Sequence, residues 1–289
     1  MSQFFRMAPL LCLFIMACAS RDSGWDKKTA TVSMSSTEAT NLIKEALGLW
    51  EGRVEQTKLQ SSLAIFERLH AANPADLQTL VYLTRGYYFL ADSHLQDIEQ
   101  KKKNYETAAS YGEKAMATNR EFKESVQAGK SVEESLGTLT RTEVPTIYWT
   151  AASLGKWAKA TGIAAALKYK TRIKAMVETV ERLQPDYFYG APARYWGGFY
   201  SVAPSFAGGD MKKSKTQFEK SLKMAPEYQG TKVLMAEVYY TKEGRKKEFE
   251  QTLKEVLASK FDNHPEIGPE NALEKKKAEK LLSKMDDLF

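Results

Sequence analysis

Two aromatic-rich stretches hold most of the side chains whose types and spacing could do chemistry. Residues 143–157 and 187–200 mix tyrosine, tryptophan and phenylalanine with glycine, alanine and other small residues. Ligand sites are mostly apolar and aromatic, with a few polar groups that fix orientation. Arg194 stands among five nearby rings, and a guanidinium in that setting calls for an acidic partner or an anionic ligand. Lys156 offers the same chemistry from a neighbouring helix. The competing reading of most of the rings is core packing, large residues facing small ones. The chemistry these stretches suggest is binding. His70, His94 and His264 stand far apart with no second ligand three or four residues on, so they read as packed or solvated side chains and no metal is expected. Asp262 to Glu266 is polar enough for an ion but reads first as a loop around Pro265. Serine-hydrolase, P-loop and His-Glu-x-x-His patterns are missing from the sequence. Gly208-Gly209-Asp210 reads as a turn in which Asp210 caps the next helix, not as a phosphate loop. The runs Lys101–Lys103 and Lys275–Lys277 read as solvated helix faces. Catalysis is disfavoured, and no cofactor is expected.

The elements that must position these residues are helices. Leu42, Ala46, Leu49 and Trp50 share a face of a helix that Thr37 is expected to cap. Leu59, Leu63, Phe66 and Leu69 form a second stripe, and Leu77 to Ala91 a third. Tyr169, Ile173, Met176, Val177, Val180 and Leu183 form a long one, and Phe218 with Leu222 and Phe249 with Leu253 and Val256 continue the series. All follow the i, i+3, i+4 spacing of amphipathic helices, and no comparable stretch alternates with period two. Three stripes close alike, at Pro74, Pro185 and Pro226. Gly197 followed by Tyr200 has the Gly-x-x-Tyr spacing of a first repeat helix, its glycine letting two helices approach closely. A helix stopped by proline and followed by another helix is how a tetratricopeptide (TPR) unit closes. Pro185 and Pro226 are 41 residues apart, so the repeats are divergent. The expected fold is all-α: TPR-like helix pairs forming a compact α-solenoid-type domain over residues 37–289, with a concave groove.

Ahead of that domain, Arg6 precedes an uncharged apolar run, Met7 to Ala17, that ends at Ile15-Met16-Ala17-Cys18. The pattern is that of a secretory signal peptide over 1–17, too short to span a bilayer. Its end resembles a bacterial lipobox, which makes Cys18 the acylated first residue of the mature chain. The alternative is an ordinary signal peptide cut near Ala17 or Ala19. With Cys12 removed and Cys18 acylated, no thiol remains for a disulfide, zinc cluster or nucleophile. Residues 18–36 read as the lipidated cysteine and a flexible tether, whose typical reach is ~20–25 Å. Trp25 within it either meets the lipid surface or has no role. The expected place is the periplasm, on a membrane; Ala19 rather than Asp after Cys18 favours the outer one. The net charge of +6 is modest and scattered and does not point to nucleic acid.

The order Val144-Pro145-Thr146-Ile147-Tyr148-Trp149 through Gly155-Lys156-Trp157, Tyr189-Gly190-Ala191-Pro192 through Gly197 and Tyr200, Pro204, Gly208-Gly209-Asp210, Phe218 to Leu222, and the ending Asp286-Asp287-Leu288-Phe289 resembles the T component of tripartite TRAP transporters, the TatT family. The resemblance covers roughly 37–289. It implies a lipid-anchored helical protein, forming a homotrimer whose subunits are each pierced by a pore or cavity. The implied partner is the periplasmic solute-binding protein, the P component, and the implied solute a hydrophobic or organic-acid ligand. The cavity positions carried over are Tyr148, Trp149, Arg194, Tyr195, Trp196 and Tyr200, with no enzymatic role among them. The alternative function is a TPR scaffold lipoprotein that organises an envelope complex without a small ligand.

Overall fold

The computed structural model describes residues 21–27, 29–260 and 264–289. The signal peptide and Cys18 lie outside the described residues. The fold is all-α, and no strand occurs among the described residues. In chain order the helices are α1 (Ser36–Glu51), α2 (Gln56–Ala72), α3 (Leu77–Phe89), α4 (Ile98–Met116), α5 (Arg120–Gln127), α6 (Val132–Ser135), α7 (Val144–Thr161), α8 (Ile163–Leu183), α9 (Tyr187–Val202), α10 (Met211–Met224), α11 (Gln229–Met235), α12 (Lys246–Ala258), α13 (Gly268–Leu282) and α14 (Met285–Leu288). Single π-turns, Leu90–His94 and Ala236–Tyr240, extend α3 and α11. No described helix is long and apolar enough to cross a membrane.

Local chemistry accounts for the boundaries. α2, α8 and α10 each stop two residues before a proline, Pro74, Pro185 and Pro226, because the residue ahead of a proline is pushed out of the α region. Asp210 caps α10 as its sequence suggests, its Oδ1 accepting from the backbone N–H of Lys212 and Lys213 at 3.0 Å each. The cap of α1 differs from expectation. Ser35, not Thr37, takes that place, its hydroxyl accepting from Glu38 N at 3.2 Å. Either hydroxyl satisfies the local rule, and the chain enters α1 two residues early.

Neighbouring helices pack as a series, α1 on α2, α3 on α4, α4 on α7, α7 on α8 and α9 on α10. Two glycines illustrate the close approaches between helices. A methyl at Gly112 would overlap the Thr150 hydroxyl across α4 and α7, and one at Gly197 would sit 2.8 Å from the Phe218 ring across α9 and α10. Gly197→Ala is therefore expected to lower stability by about 1–3 kcal/mol, the range for overpacking, read as a lower urea midpoint with an unchanged slope.

The series does not stay open. α13 returns to the first helices and closes the molecule. Leu273 joins the core of α1–α3, and Arg53 beyond α1 pairs with Glu270 of α13 at 2.6 Å. The same guanidinium donates to the carbonyls of Glu266 (2.8 Å) and Trp50 (3.1 Å). Arg53 is only 1% exposed.

Residues 21–27 and 29–34 do not form the free tether expected of them. Arg21 donates to Glu113 Oε1 at 2.5 Å in a pair closed off from solvent, and Gly24 N donates to the other carboxylate oxygen at 2.6 Å. Trp25 packs on Phe122 with ring centres 5.3 Å apart, and Val32 N donates to Ala71 O at 3.0 Å. The strap is held because the buried Glu113 carboxylate of α4 has no cation on its own helix face to neutralise it. Thr29 adds a contact to His70 Nε2 at 3.0 Å, with Lys114 Nζ 3.4 Å from the same nitrogen. Burial first, and Lys114 second, hold His70 down to about pKa 4. The folded state thus keeps His70 neutral while the unfolded chain takes up a proton from about pH 6.5 downward. Stability from this contact is full above pH 6.5 and is lost as pH falls toward 4. Thermal unfolding followed across that range should show the decline, and His70→Gln should flatten it.

Candidate functional site

The centre of the site is a turn that the sequence does not announce. At the start of α9, Phe188 (φ 41°), Tyr189 (φ 58°) and Gly190 (φ 69°) wind left-handed. For residues with a Cβ this conformation costs about 1–2 kcal/mol each. It persists because its surroundings hold it. Arg194, 6% exposed, donates Nη1 to Tyr189 O at 2.9 Å and Nη2 to Phe188 O at 3.2 Å. Ser221 donates to Gly190 O at 3.1 Å, and the Tyr189 hydroxyl reaches Glu266 at 2.8 Å. The guanidinium also stacks over Tyr228, 4.4 Å from the ring centre. Arg194 therefore has a partner that the sequence did not suggest, the carbonyls of its own turn. No ion pair joins it to a carboxylate among the described residues. Burial works against its charge, and the Tyr148 and Tyr228 hydroxyls favour it, the net effect being a higher pKa.

From this turn a continuous tract of rings crosses the interior. Phe188 meets Tyr228 at 5.6 Å and Trp149 at 4.8 Å. Trp149 meets Tyr148 at 4.9 Å and Tyr88 of α3 at 5.2 Å. Tyr148 touches Tyr187 at 5.5 Å. Burial drives the Tyr88, Tyr187 and Tyr228 hydroxyls above their ordinary pKa, so all three stay neutral donors.

Charged clusters bound the tract. On one side Glu270 accepts from Arg53 and from Arg85, the latter at 2.5 Å, and Arg85 lies over Phe188 (4.9 Å), Trp50 (5.2 Å) and Trp149 (5.6 Å). At the far end, the π-turn after α3 aims Asp92 inward, where it accepts from Lys156 of α7 at 2.5 Å, Lys277 of α13 at 2.8 Å and Tyr105 of α4 at 3.1 Å. Single π-turns recur at functional sites because they redirect a side chain. Burial alone would raise the Asp92 carboxyl, but Lys156 and Lys277 hold it well below the usual carboxylate range. The same pairing raises both lysines against the opposing effect of burial. A depressed carboxylate supports the fold at neutral pH and loses that support only as pH falls below its unfolded value of 3.8. Lys277 also pairs with Glu274 at 2.9 Å. Around the tract stand five cations, Arg53, Arg85, Lys156, Arg194 and Lys277, against four carboxylates, Asp92, Glu266, Glu270 and Glu274.

The sequence candidates divide into groups. Tyr148, Trp149 and Arg194 meet at the left-handed turn. Lys156 stands at the Asp92 end of the same tract. Tyr195, Trp196 and Tyr200 lie on the side of α9 that faces α8. There Trp196 Nε1 donates to Glu181 at 3.0 Å, and Lys174 approaches the Trp196 ring at 5.9 Å. Sequence reasoning missed Arg53, Arg85, Asp92, Glu270, Tyr88 and Tyr228. Arg85 is the one charge inside the apolar helix α3, which is a readable signal; Glu270 offers none. Lys277 was hidden in a lysine run read as solvated, whereas it turns inward to Asp92. Of the histidines, His94 contacts Arg53 O at 3.0 Å and His264 lies 3.7 Å from Glu266, while Asp262 and Asn263 lie outside the described residues. No group of three or more metal-ligating side chains occurs among the described residues.

Fold and site together describe an all-helical, ring-closed protein with a cationic aromatic interior. The chain belongs to the TRAP transporter T-component family, whose sequence profile matches residues 54–289. That family comprises T components of TRAP transporters. A protein of Treponema pallidum (strain Nichols), itself uncharacterized, is 28% identical over 179 residues. The match covers 54% of this chain and 55% of that protein, so the chain spans about half the length of the relative it matches.

Proposed function

We propose that the protein is a periplasmic accessory, held to the outer membrane through an acylated Cys18, that docks the solute-binding P component as a homotrimer and offers its aromatic interior to a hydrophobic solute with an anionic group. The observation that carries this reading is the tract between Arg194 and Asp92. It joins apolar ring faces to neutral hydroxyl donors and a surplus of cations, the chemistry that recognises an organic acid. Lys156, half-exposed beside Asp92, is the cation best placed to take a carboxylate.

The first test is native mass spectrometry of the gently purified protein. A retained small acid in a trimeric particle supports the reading; a ligand-free protein bound only to other envelope proteins favours the scaffold. Uptake by cells carrying Lys156→Gln makes the test quantitative. Losing one charge-assisted hydrogen bond, about 1.5–3 kcal/mol, should raise the half-saturating solute concentration tenfold or more with the fold intact. Unchanged uptake counts against solute passage at this site.

A further inference from the structure

Exposed large apolar side chains gather at one end of the α8–α9 hairpin. Ile163 is 80% exposed, Leu167 59%, Val202 56% and Phe206 90%. The two helices run antiparallel with a fixed register: Trp196 reaches Glu181, Phe199 lies beside Lys174 at 5.9 Å, and Ala207 O accepts from Lys170 Nζ at 2.8 Å. That register sets the loop 202–207 beside the first turns of α8, so the four apolar residues share one tip. The tip is also basic. Lys159, Lys168, Lys170 and Lys174 fall between residues 157 and 177 with no acidic residue among them, while Arg172 pairs with Glu133 of α6 at 3.5 Å and Lys156 with Asp92.

We propose that this tip is a membrane-contact surface, with Ile163, Leu167, Val202 and Phe206 entering the headgroup–acyl boundary of an anionic phospholipid bilayer and the lysines meeting phosphates. Apolar residues on such surfaces sink about 5–10 Å while basic residues stay at headgroup level. The proposal rests on the reading of Cys18 as acylated. The docked strap gives it geometry. Arg21 N contacts the Tyr169 hydroxyl at 3.4 Å, two residues along α8 from Leu167, with Tyr169 turned to the core and Leu167 to solvent. Cys18 precedes Arg21 by three residues, which span at most ~10–11 Å. An acyl chain on Cys18 thus keeps the part of the domain where α4 and the start of α8 meet the strap within reach of the bilayer, where a free tether would let it tumble. The exposed apolar tip then leaves water, and the surplus of lysines finds its counter-charge. This orientation also turns the Lys156 end of the interior tract toward the lipid, since Lys156 lies only about 8 Å from the end of α7 along its axis.

The mature chain has no cysteine other than Cys18, so single labelled cysteines test the surface cleanly in the full acylated protein. A nitrobenzoxadiazole label at Ser205→Cys leaves Phe206 in place. Met224→Cys, at the opposite end of α10, is an equally apolar control site roughly 20 Å away. In vesicles of phosphatidylcholine and phosphatidylglycerol, the label at 205 should shift to the blue and be quenched by brominated acyl chains, with the label at 224 unchanged. Leu167→Ser with Phe206→Ser should abolish the quenching at 205. A label at 205 that stays in water, on protein whose acylation mass spectrometry has confirmed, overturns the proposal. A label that is shielded but unquenched, in a particle of several copies, overturns it in favour of an interface between copies of the chain. A missing acyl mass overturns the anchor itself, and this orientation with it, independently of the fluorescence.

Discussion

Glu270→Gln should lower the unfolding free energy by about 3–5 kcal/mol, the range for removing one partner of a buried ion pair. Glu270 is the only carboxylate paired with Arg53 among the described residues, and it also neutralises Arg85. Burial would raise its pKa, yet Arg85 and Arg53 hold it ionised, so the charge is present to be lost. The amide leaves two cations among Trp50, Phe89, Trp149 and Phe188 with no carboxylate opposite them. Because the pair joins the first helices to α13, the loss should also appear as faster hydrogen exchange in α13 before global unfolding. Urea unfolding and amide exchange are the measurements. A loss under about 1 kcal/mol would mean that water relieves Arg53 and that the ring is closed by apolar packing around Leu273 alone.

Arg194→Met should cost about 3 kcal/mol or more and change the near-ultraviolet circular dichroism of the aromatic interior. Methionine keeps much of the apolar stem but removes every donor. The carbonyls of Phe188 and Tyr189 then lose charge-assisted bonds worth about 1.5–3 kcal/mol each in buried settings. The left-handed turn also loses the group that holds its unfavourable backbone in place. Arg194→Lys should recover only a fraction of the loss, since an ammonium cannot reach two carbonyls in the planar fork geometry. A stable Arg194→Met protein with an unaltered aromatic spectrum would show that Ser221 and the Tyr189–Tyr228 stack, whose centres are 5.7 Å apart, suffice for the turn. The two substitutions also separate two roles. Solute retention that falls with Lys156→Gln but persists in Arg194→Lys assigns Lys156 to the solute and Arg194 to the fold.

The helices were legible in the residues because each is a local affair. Buried stripes such as Leu42-Ala46-Trp50 and Ile173-Met176-Val177-Val180, the prolines beyond α2, α8 and α10, and the Asp210 cap all act within one or two turns. The aromatic stretches were legible too, because a cluster of rings in sequence stays a cluster in space. Three features were set only by tertiary packing. Closure by α13 joins residues more than 200 apart, as in Arg53 with Glu270, and nothing near either residue marks the other. The left-handed turn depends on Arg194, Ser221 and Tyr228 arriving from three elements to hold a backbone that Phe188 and Tyr189 disfavour on their own. The docked strap depends on a buried carboxylate of α4 taking Arg21 from a segment whose composition suits a free tether. At the closure and the strap, a charge stranded by burial selects a distant partner; at the turn, Arg194 serves carbonyls of its own helix while Ser221 and Tyr228 arrive from elsewhere. Local sequence decides which helices form and which faces are apolar; the cost of burying polar groups, felt only once the helices meet, decides how the chain closes and what lines its interior.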